Sequence, residues 1–223
     1  LTPFRRATCV IVLARLRFEP EHGCKLWTQA FGATTKMIGL AHGFAGNACA
    51  LIRAGASAQL SSDVERTLDA TARIEDGLAN WPQSVGPASP GREAMLVQIC
   101  HGAPGVIVAL ARLAPRPGSR LEELLCMAGE LVFRAGPLAK GSNLCHGTAG
   151  NGYAFLCLYR RTGERVWLER ARSFAMHAID QWQSERELHG RGRYSLWTGD
   201  PGLACFLWDC VRERDEFPTV HAF

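Results

Sequence analysis

A Gly-x-x-Gly phrase followed by an apolar run occurs four times in this chain, and it limits the fold more than any other feature. The copies are His42-Gly43-Phe44-Ala45-Gly46, Cys100-His101-Gly102-Ala103-Pro104-Gly105, Cys145-His146-Gly147-Thr148-Ala149-Gly150 and Trp197-Thr198-Gly199-Asp200-Pro201-Gly202. They return at intervals of about 45 to 60 residues, the length of a helical hairpin with its loops, which marks a repeat architecture. Each repeat brings a glycine turn and a helix start to an equivalent place. In a closed ring those places converge on one end of the axis, so that Cys100, Cys145 and His146 meet although remote in sequence.

The hydrophobic pattern between the phrases supports this. Residues 47–56, 106–113 and 152–161 are apolar on most sides and read as buried helices; residues 64–80, 121–135 and 164–182 carry one apolar stripe and read as helices with a wet face. Such alternation predicts an inner and an outer layer. Helices are also expected over 6–18 and 203–214. Ser61-Ser62-Asp63 is expected to cap the helix beginning at Val64, and Ser119 the one at Leu121. Residues 21–37 are ambiguous, with room for a short helix at 26–31. Trp81 to Gly91 and Pro115 to Gly118 are rich in Pro and Gly and read as breaks. With no clear strand run or Asn-Gly hairpin, the class expected is all-α. A plain helical solenoid is the second reading of the architecture. The 223 residues are enough for one substantial core, and the whole chain, 1–223, is read as a single domain.

Composition narrows the function classes. The net charge of +4 is spread along the chain, without the basic run or aromatic-basic interleaving of a nucleic-acid binder. No uncharged apolar stretch reaches the roughly 18 residues of a membrane span. Nine cysteines are present, and Cys9, Cys49, Cys126, Cys157, Cys205 and Cys210 sit in apolar helical runs, where Cys acts as a small hydrophobe. That usage points to a reducing cytoplasm rather than a secreted disulfide framework. Arg5-Arg6 before an apolar run faintly resembles a signal peptide, but Arg15 and Arg17 follow at once and no small-residue cleavage site appears. The first residue is Leu, so the chain is expected to be part of something longer.

The third phrase sets a Cys beside a His, and neighbouring ligands imply irregular backbone, which flanking glycines permit. Taken alone, the pair also reads as a buried Cys beside a helix-capping His. Cys100, Cys145 and His146 together form a set that Zn²⁺ prefers, and three protein ligands leave a fourth position open, as in catalytic sites. Metal ligation deprotonates a thiol at neutral pH, and the thiolate is the nucleophilic form. Two Cys ligands favour activating sulfur over activating water. Thiolate addition to an electron-poor double bond gives an enolate that needs a proton, and His42, in the equivalent loop, suits that transfer. His101 follows a ligand and is expected to cap a turn or to hydrogen-bond behind the ligands. Lys140, Arg191 and Arg193 are candidates to receive a carboxylate of a small thiol substrate; solvated surface charge is the other reading.

Three ordered motifs, Ile38-Gly-Leu-Ala-His42-Gly-Phe-Ala-Gly46, Cys100-His101-Gly-Ala-Pro-Gly105-Val106 and Leu144-Cys145-His146-Gly-Thr-Ala-Gly150-Asn151, resemble the lanthionine synthetase C-like family. Tyr194-Ser-Leu-Trp197-x-Gly199 and the Phe217-Pro218 tail are similar too. The likeness covers nearly all of this chain but corresponds to the C-terminal portion of the family's length. It implies a double-layered α/α toroid, here an incomplete ring of helical hairpins with Gly-rich loops at one end and without the family's N-terminal hairpins. It implies Zn²⁺ on Cys100, Cys145 and His146, His42 as acid/base, and Lys140 as a glutathione contact. The activities implied are addition of a peptide Cys, or of glutathione, to dehydroalanine or dehydrobutyrine residues, and the Cys-His-Gly-Ala-Pro-Gly wording is closer to the glutathione-using members. Ile99 replaces the usual Trp, Leu96 the cyclases' Arg, and Thr198 the usual acidic residue. A partner or a second copy is expected to close the ring.

Zinc-dependent thiol addition is therefore the leading expectation. A non-catalytic protein that binds zinc and glutathione, or an inactive remnant of the family, is the alternative. A carbohydrate hydrolase on the same architecture would need paired carboxylates on the rim, and Glu75-Asp76 and Asp200 are poorly placed for that.

Overall fold

The structure is a computed structural model that describes residues 3–30, 34–86, 95–114 and 119–221. Among these residues it has eight α-helices: α1 (Pro3–Leu13), α2 (Phe44–Leu51), α3 (Ser57–Thr71), α4 (Ala103–Leu110), α5 (Leu121–Ala135), α6 (Thr148–Thr162), α7 (Arg165–His189) and α8 (Asp200–Arg212). A wider-turned segment, Ile52–Ala56, joins α2 to α3 and kinks at Gly55, whose φ is 89°.

The even-numbered helices form the inner row. Helix α2 packs on α4, α4 on α6, and α6 on α8. Every residue of α4 is buried, as is every residue of α6 from Thr148 to Leu158. Val106, Ile107, Val108 and Leu110 are fully enclosed, each contributing about 1.5–3 kcal/mol relative to exposure. Helices α3, α5 and α7 form the outer row: α5 lies on α4 and α6, and α7 on α6 and α8. Their burial is striped, in α5 as Leu121, Leu124, Leu125, Ala128 and Val132, the i, i+3, i+4 pattern of a helix wet on one side. The enclosure of α4 and of most of α6, and the stripe of α5, agree with the alternating hydrophobicity.

Each inner helix begins at a Gly-x-x-Gly phrase, and the glycines share one geometry. A Cβ on Gly46, Gly105, Gly150 or Gly202 would fall 2.0–2.2 Å from the carbonyl oxygen of Leu40, Ile99, Leu144 or Leu196 respectively. The loop thus curls back on the first turn of its helix, and the second glycine is where the two backbones touch. Conformational freedom is not the main reason for these glycines. The backbone at Gly43, Gly147 and Gly199 is extended, and Gly102 alone of the four first glycines has positive φ, at 103°. Close approach requires a missing side chain.

The expectation that strands are absent is corrected. Three two-stranded antiparallel hairpins are present: β1 (Arg17–Glu19) with β2 (Cys24–Leu26), β3 (Gln29–Ala30) with β4 (Thr34–Thr35), and β5 (Arg73–Glu75) with β6 (Leu78–Asn80). The short helix expected at 26–31 is replaced by extended chain through Ala30, and Phe31 to Ala33 lie outside the described residues. Strands of two or three residues are too short to show alternation. The β5–β6 turn did carry a signal: Asp76 and Gly77, at φ 49° and 74°, form the two-residue loop that Asp-Gly favours.

Several boundaries also move. Ser61–Asp63 does not cap a helix but lies inside α3, where Asp63 pairs with Lys25 at 3.0 Å. That helix stops at Thr71, because the expected stretch to Asn80 folds into the hairpin. Ser119 does accept the Leu121 N–H at 3.1 Å. The breaks expected at 87–91 and 115–118 lie outside the described residues.

Candidate metal and thiol site

The four loops ahead of the inner helices lie side by side and are joined in chain order. A Cβ on Gly39 would meet the Cys100 carbonyl oxygen at 2.4 Å, so the first loop rests on the second. The Cys100 N–H donates to the Cys145 carbonyl at 3.3 Å, and the Cys145 N–H donates to the Trp197 carbonyl at 2.9 Å. Bonds between neighbouring loops therefore bring residues 45 and more positions apart to one end of the helical row.

The Cys100 and Cys145 side chains meet there. The Cys145 thiol hydrogen-bonds to Cys100 and holds its pKa down to about 6, against the opposing effect of burial, with Gln98 assisting. The same contact drives Cys145 well above the ordinary thiol range. The contact thus favours the proton on Cys145 and the thiolate on Cys100. Both side chains are half-buried.

Gln98 was not singled out by the sequence. It is buried at 8% exposure, donates from Nε2 to Cys100 Sγ at 2.9 Å, and accepts from Lys140 Nζ at 2.9 Å. Its one signal was a polar residue inside the apolar approach to Cys100. Lys140 is thus tied to the site through Gln98 while its own stem stays exposed.

His146 is half-buried, and its backbone N–H is held by Asn143 Oδ1 at 3.1 Å. Burial, then the charge of Lys140, lowers its pKa, which favours the neutral imidazole a metal needs. His42 is exposed on the first loop, with its ring 5.9 Å from that of His101. Arg191 and Arg193 are exposed in the loop ahead of α8, where Arg193 serves through its carbonyl, accepting the Asp200 N–H at 2.8 Å. Among the described residues, one group of three Cys, His, Asp or Glu ligand atoms lies within 4.8 Å of one another: Cys157, Asp215 and His221. Cys100, Cys145 and His146 do not form such a group; their sulfurs share a hydrogen bond, and the His146 ring is not drawn within that distance of both.

A cleft of about 730 Å³ lies along α2, lined by Leu40 and Ala41 of the first loop, Trp197 of the fourth, Arg53, and Thr219 and Val220 of the C-terminal tail. No helix among the described residues is long and apolar enough to cross a membrane.

Comparison with known proteins agrees with the motif order. The chain is 35% identical over 191 residues to a protein of Danio rerio named Glutathione S-transferase LANCL1, covering 81% of this chain and 45% of that protein. It is 35% identical over 220 residues to LanC-like protein GCL1 of Arabidopsis thaliana, covering 94% of this chain and 48% of that protein. The chain spans about half the length of these curated relatives. The family model described as "Lanthionine synthetase C-like protein" matches residues 19–221. With four linked Gly-x-x-Gly loops, paired thiols on one rim, and that match over nearly its whole length, the chain belongs to the lanthionine synthetase C-like family.

Proposed function

We propose that the protein adds a thiol, glutathione or a peptide cysteine, to dehydroalanine or dehydrobutyrine residues, with Zn²⁺ held by Cys100, Cys145 and His146. The observation that carries this reading is the meeting of the Cys100 and Cys145 sulfurs across two loops. Two sulfurs in hydrogen-bond contact are soft donors, and His146, next to Cys145 in sequence, offers an imidazole whose pKa burial lowers. That donor set suits Zn²⁺, although the His146 ring must close on the sulfur pair. When bound, the ion would supply a lowered pKa for a substrate thiol, leaving it nucleophilic at neutral pH.

The chain's own residues carry the rest. Addition forms a bond from sulfur to the β-carbon of the acceptor, and the α-carbon takes a proton, so nothing leaves. His42, on the adjoining loop, holds and delivers that proton. Lys140, oriented by Gln98, receives a carboxylate of the thiol substrate, and Arg191 and Arg193 face a second one from the fourth loop. The cleft beside Leu40, Ala41 and Trp197 seats the acceptor peptide. The name of the Danio rerio relative supports glutathione as the thiol.

In this reading, residues 1–223 form one domain, and the row of inner and outer helices is part of an α/α toroid, closed by further hairpins, a partner or a second copy. All nine cysteines are free, which supports a reducing cytoplasmic setting.

The test offers a dehydroalanine peptide and glutathione to purified protein and measures thioether product and bound zinc together. Wild type should hold zinc and form product, Cys145→Ala should lose both, and His42→Asn should keep zinc and lose product. Folded wild-type protein without zinc or product would overturn the reading. Zinc and glutathione binding without turnover would favour the alternative, a non-catalytic binding protein. Thr198, where the family usually has an acidic residue, favours that alternative.

A further inference from the structure

A second set of donors lies deep in the molecule, away from the rim. Cys157 on α6 and Asp215 and His221 of the tail after α8 place one ligand atom each within 4.8 Å of one another, and all three are buried. Cys157 lies nine positions beyond Thr148, the first residue of α6, roughly 14 Å along the helix at 1.5 Å per residue, whereas Cys145 lies ahead of that helix, so the two sets are separate.

The His221 ring is prepared for a ligand. Its Nδ1 lies 2.8 Å from the Asp215 carbonyl, which can only accept, so Nδ1 carries the proton and Nε2 keeps its lone pair. A ring N–H given to a backbone carbonyl is how metal-binding histidines are usually oriented. Nε2 makes no well-aligned hydrogen bond although the residue is 9% exposed; the Val108 backbone is a weaker hydrogen-bond partner of the ring and, like the Asp215 backbone, raises its pKa against the effect of burial. A buried lone pair left in this way is costly.

Asp215 is held from behind. Arg112 Nε donates to Oδ2 at 2.9 Å and Nη2 to Oδ1 at 2.7 Å. Each carboxylate oxygen has a further lone pair, so the guanidinium can orient the carboxylate while one oxygen turns to an ion. A thiolate and a carboxylate together carry two negative charges, which Arg112 and a divalent cation more than offset. Tetrahedral bonds of about 2.0–2.3 Å separate ligand atoms by roughly 3.5 Å, so closure asks for shifts of about an ångström.

We propose that Cys157, Asp215 and His221 bind a second divalent ion of zinc-like softness, a buried three-ligand site that fastens the tail to the inner helices. The tail also bears on the rim. Phe217 packs against Tyr153 at 4.9 Å and against Trp197 at 5.6 Å, and the Trp197 carbonyl holds the Cys145 N–H. The ion thus steadies a support of the rim without touching it.

The test uses full-length chain produced with zinc in the medium, and compares wild type, the Cys100→Ser/Cys145→Ser double variant, and that variant with His221→Gln added. Wild type should hold two ions and the double variant one, released by EDTA more slowly than the rim ion and lost on His221→Gln. X-ray absorption of the double variant should show one sulfur among nitrogen and oxygen neighbours, a readout that needs no change in the buried cluster. A folded double variant without metal, or with a different sulfur count, overturns the proposal and leaves the rim reading standing. One ion in wild type that survives the double substitution sinks the rim reading instead.

Discussion

The Cys100 amide donates to the Cys145 carbonyl at 3.3 Å, so the two cysteines are joined through their backbones as well as through sulfur. The backbone bond fixes the distance between the loops whether or not the thiols are charged. The side-chain contact then divides one proton unequally, toward Cys145. The first prediction concerns that division.

In chelator-treated protein, Cys100 should be alkylated by iodoacetamide with a half-maximal rate near pH 6, since its pKa is lowered to about 6 and the thiolate is the reacting form. The sign follows from the lowered value: the rate rises through pH 6 and is flat at pH 7 and above. In Cys145→Ala the donated hydrogen bond is gone and the midpoint moves up toward the ordinary thiol range. Peptide mass spectrometry across pH reads both. A wild-type midpoint above about pH 8 would show that the thiols do not share a proton.

Gln98 should matter more to Cys100 than Lys140 does. Its N–H touches the sulfur at 2.9 Å, whereas Lys140 acts through Gln98 and through charge alone. Hydrogen bonds to charged groups contribute about 1.5–3 kcal/mol, and one pKa unit is about 1.4 kcal/mol. Gln98→Leu should therefore raise the alkylation midpoint by about one unit or more, and Lys140→Ala by less. Equal shifts would place the effect in the general field rather than in the hydrogen bond.

Gly150 and Gly163 separate two reasons for glycine. A Cβ on Gly150 would lie 2.0 Å from the Leu144 carbonyl oxygen and 2.6 Å from Ile99 Cγ1, in a fully packed setting. Gly163 has φ 75° and open space around it. Gly150→Ala should cost about 2–3 kcal/mol, as overpacking does, and Gly163→Ala about 1 kcal/mol for the left-handed backbone alone. Urea titrations measure both. A Gly150→Ala protein as stable as Gly163→Ala would mean that the loop can move away from its helix.

The repeat was legible because it is written in residue type. Gly46, Gly105, Gly150 and Gly202 fill one steric role, and no other residue fits it, so the role surfaced as a motif. The layers were legible for a similar reason: the unbroken burial of α4 and the stripe of α5 are visible as hydrophobicity. The hairpins were not, since Gln29–Ala30 and Thr34–Thr35 leave no periodicity. Gln98 was missed because its importance lies in meeting Lys140 across 42 positions. The Cys157–Asp215–His221 group escaped notice for the same reason: Cys157 looks like any small apolar residue of α6, and its partners lie in a tail after another helix.

Tyr153 and Asp209 give a pH-dependent prediction away from either donor set. The Tyr153 hydroxyl donates to Asp209 Oδ2 at 2.8 Å, with both residues buried. Burial raises the Asp209 pKa above 3.8, and the Tyr153 hydrogen bond pulls it back down. A carboxyl whose folded pKa is raised favours folding below its unfolded pKa and loses that contribution as pH rises through the folded value. Tyr153→Phe removes the lowering influence, so the folded pKa climbs further and the ionised carboxylate at pH 7 is left without its donor. The variant should lose about 1–3 kcal/mol at pH 7, and less near pH 4, since lowering the pH moves a carboxyl of raised pKa toward its protonated form. Paired urea titrations at the two pH values measure the difference. An equal loss at both would show that Asp209 keeps its proton at pH 7, with Tyr153 contributing packing rather than stabilisation of charge.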